Sequence, residues 1–299
     1  MNHVKKIYFG YFLTPDGSDP SETVRRALVC DRAGYDLIGI QDHPYQSRFL
    51  DTWTLLSVLA ARTERITLFP DVASLPLRPP AVLAKAAATL DLLSGGRFEL
   101  GLGAGAFWDG IYAMGGPRRT PGQAVTALEE AMRIIRLFWS GARGARFEGE
   151  FYRLSGVHTG PPPAHPMGIW LGAYGPRMLN LVGRLADGWV PSSSYAPPAV
   201  LPQMQKRIDE AALAAGRDPA SIRRIYNVMG VIGHGASARP FTGGVEQWVD
   251  ELTHLALEVG MDSFVLGLPE PPGNQLERFI AEIAPRVREA VAQQTGAGR

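Results

Sequence analysis

Residues 98–110 read FELGLGAGAFWDG. An apolar strand runs into Gly101-Leu102-Gly103-Ala104-Gly105-Ala106, which fits the letters of a dinucleotide fingerprint, glycine-x-glycine-x-x-alanine. A Rossmann turn, however, is the first strand–helix turn of its domain, and its third glycine position already lies in a helix. Here three strand–helix units precede the stretch, and Phe107-Trp108-Asp109-Gly110 followed by Gly115-Gly116-Pro117 cannot continue as a helix. The stretch therefore reads as the end of a fourth strand in some other parallel sheet. Glycines at such an end let a flat ring approach the backbone, or form a turn with no ligand.

Outward from this strand, apolar runs alternate with segments of helical period along almost the whole chain. The strand candidates are Ile7–Leu13, Leu37–Asp42, Ile66–Ala73, Phe98–Gly103, Gly168–Ala173, Gly188–Ser192, Arg224–Ile232 and Ser263–Leu268. Helix punctuation separates them. Asp19-Pro20-Ser21-Glu22 has the form of an N-cap, a first-turn proline and a reciprocal glutamate, with Gly34 as the stop. Thr120-Pro121 opens a helix whose Val125, Leu128, Met132, Ile135 and Trp139 recur at spacings of three and four, up to Gly141. Trp248, Leu252, Leu255 and Val259 make a similar stripe ending at Gly260. Eight such pairs, with strands apolar on both faces, predict an α/β fold: a single (β/α)8 TIM barrel spanning residues 1–299. Insertions are expected after strand four (Gly105–Arg119) and strand seven (Gly233–Gly244). A small hairpin is expected at Arg146–Leu154 before strand five, and residues 293–299 are expected as a disordered tail.

The composition narrows the function classes. Of 299 residues, 45% are hydrophobic and 20% charged, and the net charge is +1 without a Lys/Arg run, which argues against a nucleic-acid partner. The single cysteine, Cys30, allows no internal disulfide and reads as a small buried apolar residue. Lys5 and Lys6 precede IYFGYFL, but Pro15 and Asp16 break that run, so it reads as a first strand and not a membrane span or signal. A soluble, cytoplasmic protein with no membrane partner is the expectation. The six histidines, His3, His43, His158, His165, His234 and His254, are scattered, and no metal site is expected.

In a barrel of this kind, function is assembled just beyond the C-terminal strand ends. Strand two ends in Gln41-Asp42-His43-Pro44, where a carboxylate can orient a ligand and an imidazole can move a proton near neutral pH. The same residues also suit a helix-cap aspartate and a surface histidine. Strand three ends in Pro70-Asp71-Val72-Ala73-Ser74, then a proline-stiffened Leu75-Pro76-Leu77-Arg78-Pro79-Pro80. After strand five, Gly175-Pro176-Arg177 opens a helix, and its free amides, dipole and guanidinium suit an anion.

Taken together these pieces resemble the luciferase-like superfamily of flavin- or deazaflavin-dependent oxidoreductases. The matching text is YFGYF (8–12), GYDLIGIQDH (34–43), PPAVLAKAAATLDLLSGGRFELGLGAG (79–105), TALEEAMRIIRLFWSG (126–141) and GPRMLNLVGRLADGWV (175–190). The resemblance implies a barrel holding an isoalloxazine-type ring across its strand ends. It further implies a non-prolyl cis peptide at Asp71–Val72 under that ring. The wording around Gly175 looks closest to the branch using coenzyme F420, a deazaflavin. In that branch Tyr174, Gly175, Pro176 and Arg177 would take the cofactor phosphate. Asp42, Ser74 and the bulge at Asp71 and Val72 would contact the cofactor, and Gly101 and Gly103 would line the ring edge.

A deazaflavin carries hydride, so the resemblance implies two-electron transfer to or from an organic small-molecule substrate, with His43 as the catalytic proton donor or acceptor. The branch's sugar-phosphate enzymes have a glutamate after the strand-four glycines and a lysine after strand six, where this chain has Ala104 and Tyr195. The reading therefore disfavours a sugar phosphate. Phe12, Tyr45, Phe107, Trp108 and Tyr195 suggest an apolar pocket, with Asp109 as a stand-in acid. Two alternatives stand beside this: an FMN-dependent monooxygenase supplied by a partner flavin reductase, and a barrel that binds flavin or deazaflavin without catalysis. The resemblance also allows a homodimer.

Overall fold

The computed structural model describes residues 6–296 of the chain. Eight parallel strands form its centre: β1 (Tyr8–Leu13), β2 (Leu37–Ile40), β3 (Thr67–Pro70, resumed at Ala73–Ser74), β4 (Leu100–Gly103), β5 (Ile169–Leu171), β6 (Gly188–Trp189), β7 (Arg223–Met229) and β8 (Ser263–Gly267). Neighbours pair in the order β3-β2-β1-β8-β7-β6-β5-β4, every pairing parallel. The two ends of that list meet. Ala73–Ser74 pairs with Leu102–Gly103, Leu68 N–H donates to Arg97 O (2.9 Å), and Glu99 N–H donates to Leu68 O (3.1 Å). The sheet is thereby closed into the expected barrel.

Helices α1 (Pro20–Ala33), α2 (Thr52–Arg62), α3 (Pro80–Ser94), α4 (Pro121–Trp139), α5 (Pro176–Leu185), α6 (Leu201–Ala214), α7 (Val245–His254) and α8 (Ala284–Gly296) follow the strands in turn. Their ends show why they form where they do. Asp19 accepts from Glu22 N–H at the start of α1, and Gly34 closes it at φ 94°. The expected reciprocal bond from Glu22 is absent, because its carboxylate is taken by Arg25 and Arg26. Thr120 and Gln123 form a full capping box before α4. The hairpin before β5 pairs Ala145–Glu148 with Arg153–Val157, and the segments after β4 and β7 are the longer excursions expected. One expectation fails in part. Residues 293–296 continue α8 instead of fraying, anchored by Val291 in the core, while 297–299 lie outside the described residues.

Two apolar layers hold the barrel. The larger packs the strands' outward side chains and Cys30 against the helices. The smaller fills the lumen with Leu37, Phe69, Trp170, Val190, Ile225 and Val265, with half-buried Tyr8 and Phe12 against them. Phe69 and Trp170 meet edge to face at 5.1 Å. Glycines facing the lumen make room for these rings; a Cβ on Gly188 would sit 2.5 Å from the Trp170 indole. No described helix is long and apolar enough to cross a membrane.

Candidate active site at the barrel mouth

Asp42, directly after β2, is fully buried. Its carboxylate accepts from Arg78 Nε (2.7 Å), Arg78 Nη2 (2.8 Å) and Ser74 N–H (2.9 Å). Arg78 reaches on to Asp51 (2.8 Å), the residue capping α2. A carboxylate without solvent needs a counter-charge, and Arg78 supplies it from the loop after β3. Asp42, Arg78 and the Ser74 amide thereby join the loops after β2 and β3 at the rim.

His43 stands beside this clamp, half-buried. Its Nδ1 lies 2.5 Å from the Tyr45 hydroxyl, and Phe107 meets the imidazole edge-on at 5.4 Å. Tyr45 and Phe107 are 5.9 Å apart, so the three rings tie the loop after β2 to the loop after β4. Burial lowers the His43 pKa, only partly opposed by the Asp42 charge, and so favours the neutral imidazole near pH 7. Trp108 packs over Gly105, and Phe12 stands at the top of the lumen. Asp109 does not join them. Its carboxylate is 92% exposed and bonded to Arg118.

The floor of the mouth is the β3 interruption. The Asp71–Val72 peptide is cis, as the resemblance implied. Val72 projects toward the ends of β4 and β5; a Cβ on Gly103 would lie 2.8 Å, and one on Gly172 3.1 Å, from its Cγ2. Glycine is what those two strand ends must have for the bulge to sit there. Asp71 is buried beside Gly39, with Oδ1 accepting from Asn227 Nδ2 (3.1 Å), which also donates to Ser192 Oγ (3.1 Å). Asp71 Oδ2 and Asn227 Oδ1 are buried with no partner among the described residues. Burial pushes the Asp71 carboxyl up to about 7, against the lowering by Asn227.

Across the mouth, α5 begins at Gly175 without a side-chain cap, and open space surrounds that glycine. Gly175, Pro176 and Arg177 are exposed, and among the described residues no group bonds the Arg177 guanidinium, which lies beside Gly122 in the first turn of α4. Tyr174 accepts from Ser192 N–H (3.1 Å) and packs on exposed Tyr195 at 5.6 Å.

These features fit a planar ring with a phosphate-bearing tail. A glycine-flanked bulge gives a floor, two buried acceptors lack donors, an imidazole lies at one side, and unbonded amides with a guanidinium lie at the other. Arg78, Asn227 and Ser192 were not singled out from the sequence. Asn227 had a usable signal, since period two puts this polar side chain on the same inward face as Ile225. Arg78 had only its place between prolines. A separate groove of about 640 Å³, lined largely by Val24, Leu28, Leu55 and Val58, lies between α1 and α2 and not at the strand ends.

The chain is similar to several known proteins. Residues 7–239 match the family model described as luciferase-like monooxygenase. The F420-dependent glucose-6-phosphate dehydrogenase of Nakamurella multipartita is 28% identical, the match covering 96% of this chain and 98% of the relative. The like-named protein of Nocardia farcinica is 30% identical, over 74% of this chain and 68% of its own. A phthiodiolone/phenolphthiodiolone dimycocerosates ketoreductase of a Mycobacterium species is 36% identical over 60% of this chain and 47% of its own. Among solved structures, an F420-dependent secondary alcohol dehydrogenase in complex with an F420–acetone adduct superposes with a TM-score of 0.84 at 18% identity, covering 94% and 99% of the two chains. The oxygenating constituent of 3,6-diketocamphane monooxygenase from Pseudomonas putida, in complex with FMN, superposes at 0.75 and 18%, covering 94% and 98%. The sequence-based expectation against a sugar phosphate is not borne out, since a relative matched over 96% of this chain, and one matched over 74%, carry one in their names. Ala104 and Tyr195 remove two charges, but open amides or a guanidinium elsewhere can hold a phosphate equally well. The chain, an α/β barrel oxidoreductase by fold and relationship, belongs to the luciferase-like family.

Proposed function

We propose that this protein is an F420-dependent oxidoreductase interconverting an alcohol and a carbonyl compound. The observation that carries the reading is the uncapped, solvent-open start of α5, with Arg177 unbonded among the described residues, three residues beyond the Gly172 against which the Val72 bulge sits. The names of the relatives support the substrate class. Dehydrogenase of glucose 6-phosphate, ketoreductase and secondary alcohol dehydrogenase all act at a carbon bearing oxygen.

When bound, the deazaflavin supplies hydride chemistry at a ring carbon. The chain's own residues do the rest. The Gly175 and Arg177 N–H groups and the Arg177 guanidinium would hold the phosphate, Pro176 having no N–H to give, and Val72 would pack against the ring. Phe12, Phe107 and Trp108 exclude water from the substrate side. His43 moves the proton at the substrate oxygen through Nε2, the ring nitrogen that has no partner among the described residues. Tyr195 and Tyr174 close the rim on the β6 side.

The test is a deazaflavin absorbance assay on a panel of secondary alcohols, hemiacetals and ketones, glucose 6-phosphate included. Turnover with any member supports the reading; a site that binds F420 yet turns over none would leave a ligand-binding barrel. The family's monooxygenase description and the FMN-bound neighbour favour a second reading, oxygenation with reduced FMN. Oxygen consumption dependent on reduced FMN would select it.

A further inference from the structure

We propose that Tyr45 is a positioning residue that holds His43 as the Nε2–H tautomer, so that the ring nitrogen with no partner among the described residues carries the proton. The proposal deepens the function above but rests on donor accounting at one contact. The Tyr45 hydroxyl and His43 Nδ1 are 2.5 Å apart, and that is the only hydrogen bond the hydroxyl makes among the described residues. Of the two groups the phenol O–H is the stronger donor and the imidazole nitrogen the stronger acceptor, so the hydroxyl gives this hydrogen bond. With Oη–H donating to Nδ1, both groups are satisfied and the proton of the neutral ring falls on Nε2.

The surroundings enforce this arrangement. Pro44 separates the two residues, and a Cβ on Gly110 would lie 2.8 Å from the Tyr45 ring, so the phenol is seated against a glycine on the short helix Trp108–Ala113. Phe107 closes the third side, edge-on to the imidazole. The charged groups nearby do not compete for the contact. Asp42 is neutralised by Arg78, and Asp109, on the short helix, is turned to solvent with Arg118. Burial raises the Tyr45 pKa to about 12, so the hydroxyl keeps its proton over the working range, and burial favours the neutral His43 that accepts it. Sequence reasoning gave Tyr45 to the substrate pocket, and its hydroxyl bonds the imidazole.

The test is nitrogen NMR of the full chain labelled at histidine, without cofactor or substrate, with the His43→Ala variant identifying the signal among six histidines. The expected wild-type pattern is a protonated Nε2 and an unprotonated Nδ1. Tyr45→Phe keeps the packing and removes only the donor. The neutral form then loses its partner, the two tautomers mix, and the titration midpoint moves upward. A dominant Nδ1–H form in the wild type, or unchanged tautomer and midpoint in Tyr45→Phe, would overturn the proposal. Both measurements are made without F420, so they stand or fall separately from the cofactor reading.

Discussion

At the scale of single residues, two titratable groups with shifted pKa values define the mouth. His43 is the group placed to move a proton. His43→Ala is expected to reduce turnover about 10²–10⁴-fold, the usual range for a lost general acid or base, with cofactor affinity nearly unchanged. Stopped-flow rates beside a binding titration check this; equal turnover in the variant removes His43 from the mechanism. Asp71 has a different signature. Its carboxyl titrates near 3.8 ordinarily and at about 7 when buried here. Between those values the native state keeps a proton that the unfolded chain has released, so stability falls as pH rises through that window. Asp71→Asn removes the penalty. Its melting temperature relative to wild type should therefore climb from pH 5 to pH 8, and parallel curves would contradict the assignment.

At the scale of elements, the loops after β2 and β3 are joined by one arginine. Arg78→Ala leaves Asp42 buried without its counter-charge, a change that typically costs about 3–5 kcal/mol, and denaturant unfolding should show it. The strand ends obey a steric rule as well. Gly103→Ala would place a methyl group 2.8 Å from Val72 Cγ2, so the bulge must shift. Overpacking of this kind costs about 1–3 kcal/mol, and the account expects cofactor affinity to fall alongside it. Calorimetry with and without ligand separates the two effects; full affinity in the variant would mean that the bulge does not touch the cofactor. This scale also divides what was legible in the sequence from what was not. Strands and helices were legible because apolar period, Asp19, Thr120 and the stop glycines act within a few residues of chain. The segment after β4 was misread: Phe107–Gly110 was taken as unable to enter a helix, but Trp108–Ala113 forms a short one that holds Gly110 and ends before Gly115. The Asp42–Arg78 pair spans 36 positions and the Asp71–Asn227 bond 156, so only the closed barrel brings them together. A sequence pattern marks Asp42 as polar at a strand end, but not which charge will meet it.

At the scale of the whole molecule, barrel closure is what turns separate loops into one site. β3 and β4 are the two ends of the hydrogen-bonded strand order, and their junction places Val72 between Gly103 and Gly172. The mouth that results has an imidazole after β2, a bulge after β3 and an open helix start after β5, all on the C-terminal rim of a parallel barrel. Strand count and order were readable because the helices between them are long and well capped. The missed contacts were those made across the lumen. The central claim is that this rim holds a deazaflavin whose phosphate sits on Gly175–Arg177. A fluorescence titration of the purified chain with oxidised F420, and in parallel with FMN, tests it most directly. The account predicts saturable binding of F420, weaker or absent binding of FMN, and a loss of F420 affinity of about ten- to hundredfold in Arg177→Ala, the worth of one charge-assisted hydrogen bond. Saturation by FMN with none by F420, or an Arg177→Ala variant that binds F420 as tightly as wild type, would contradict it.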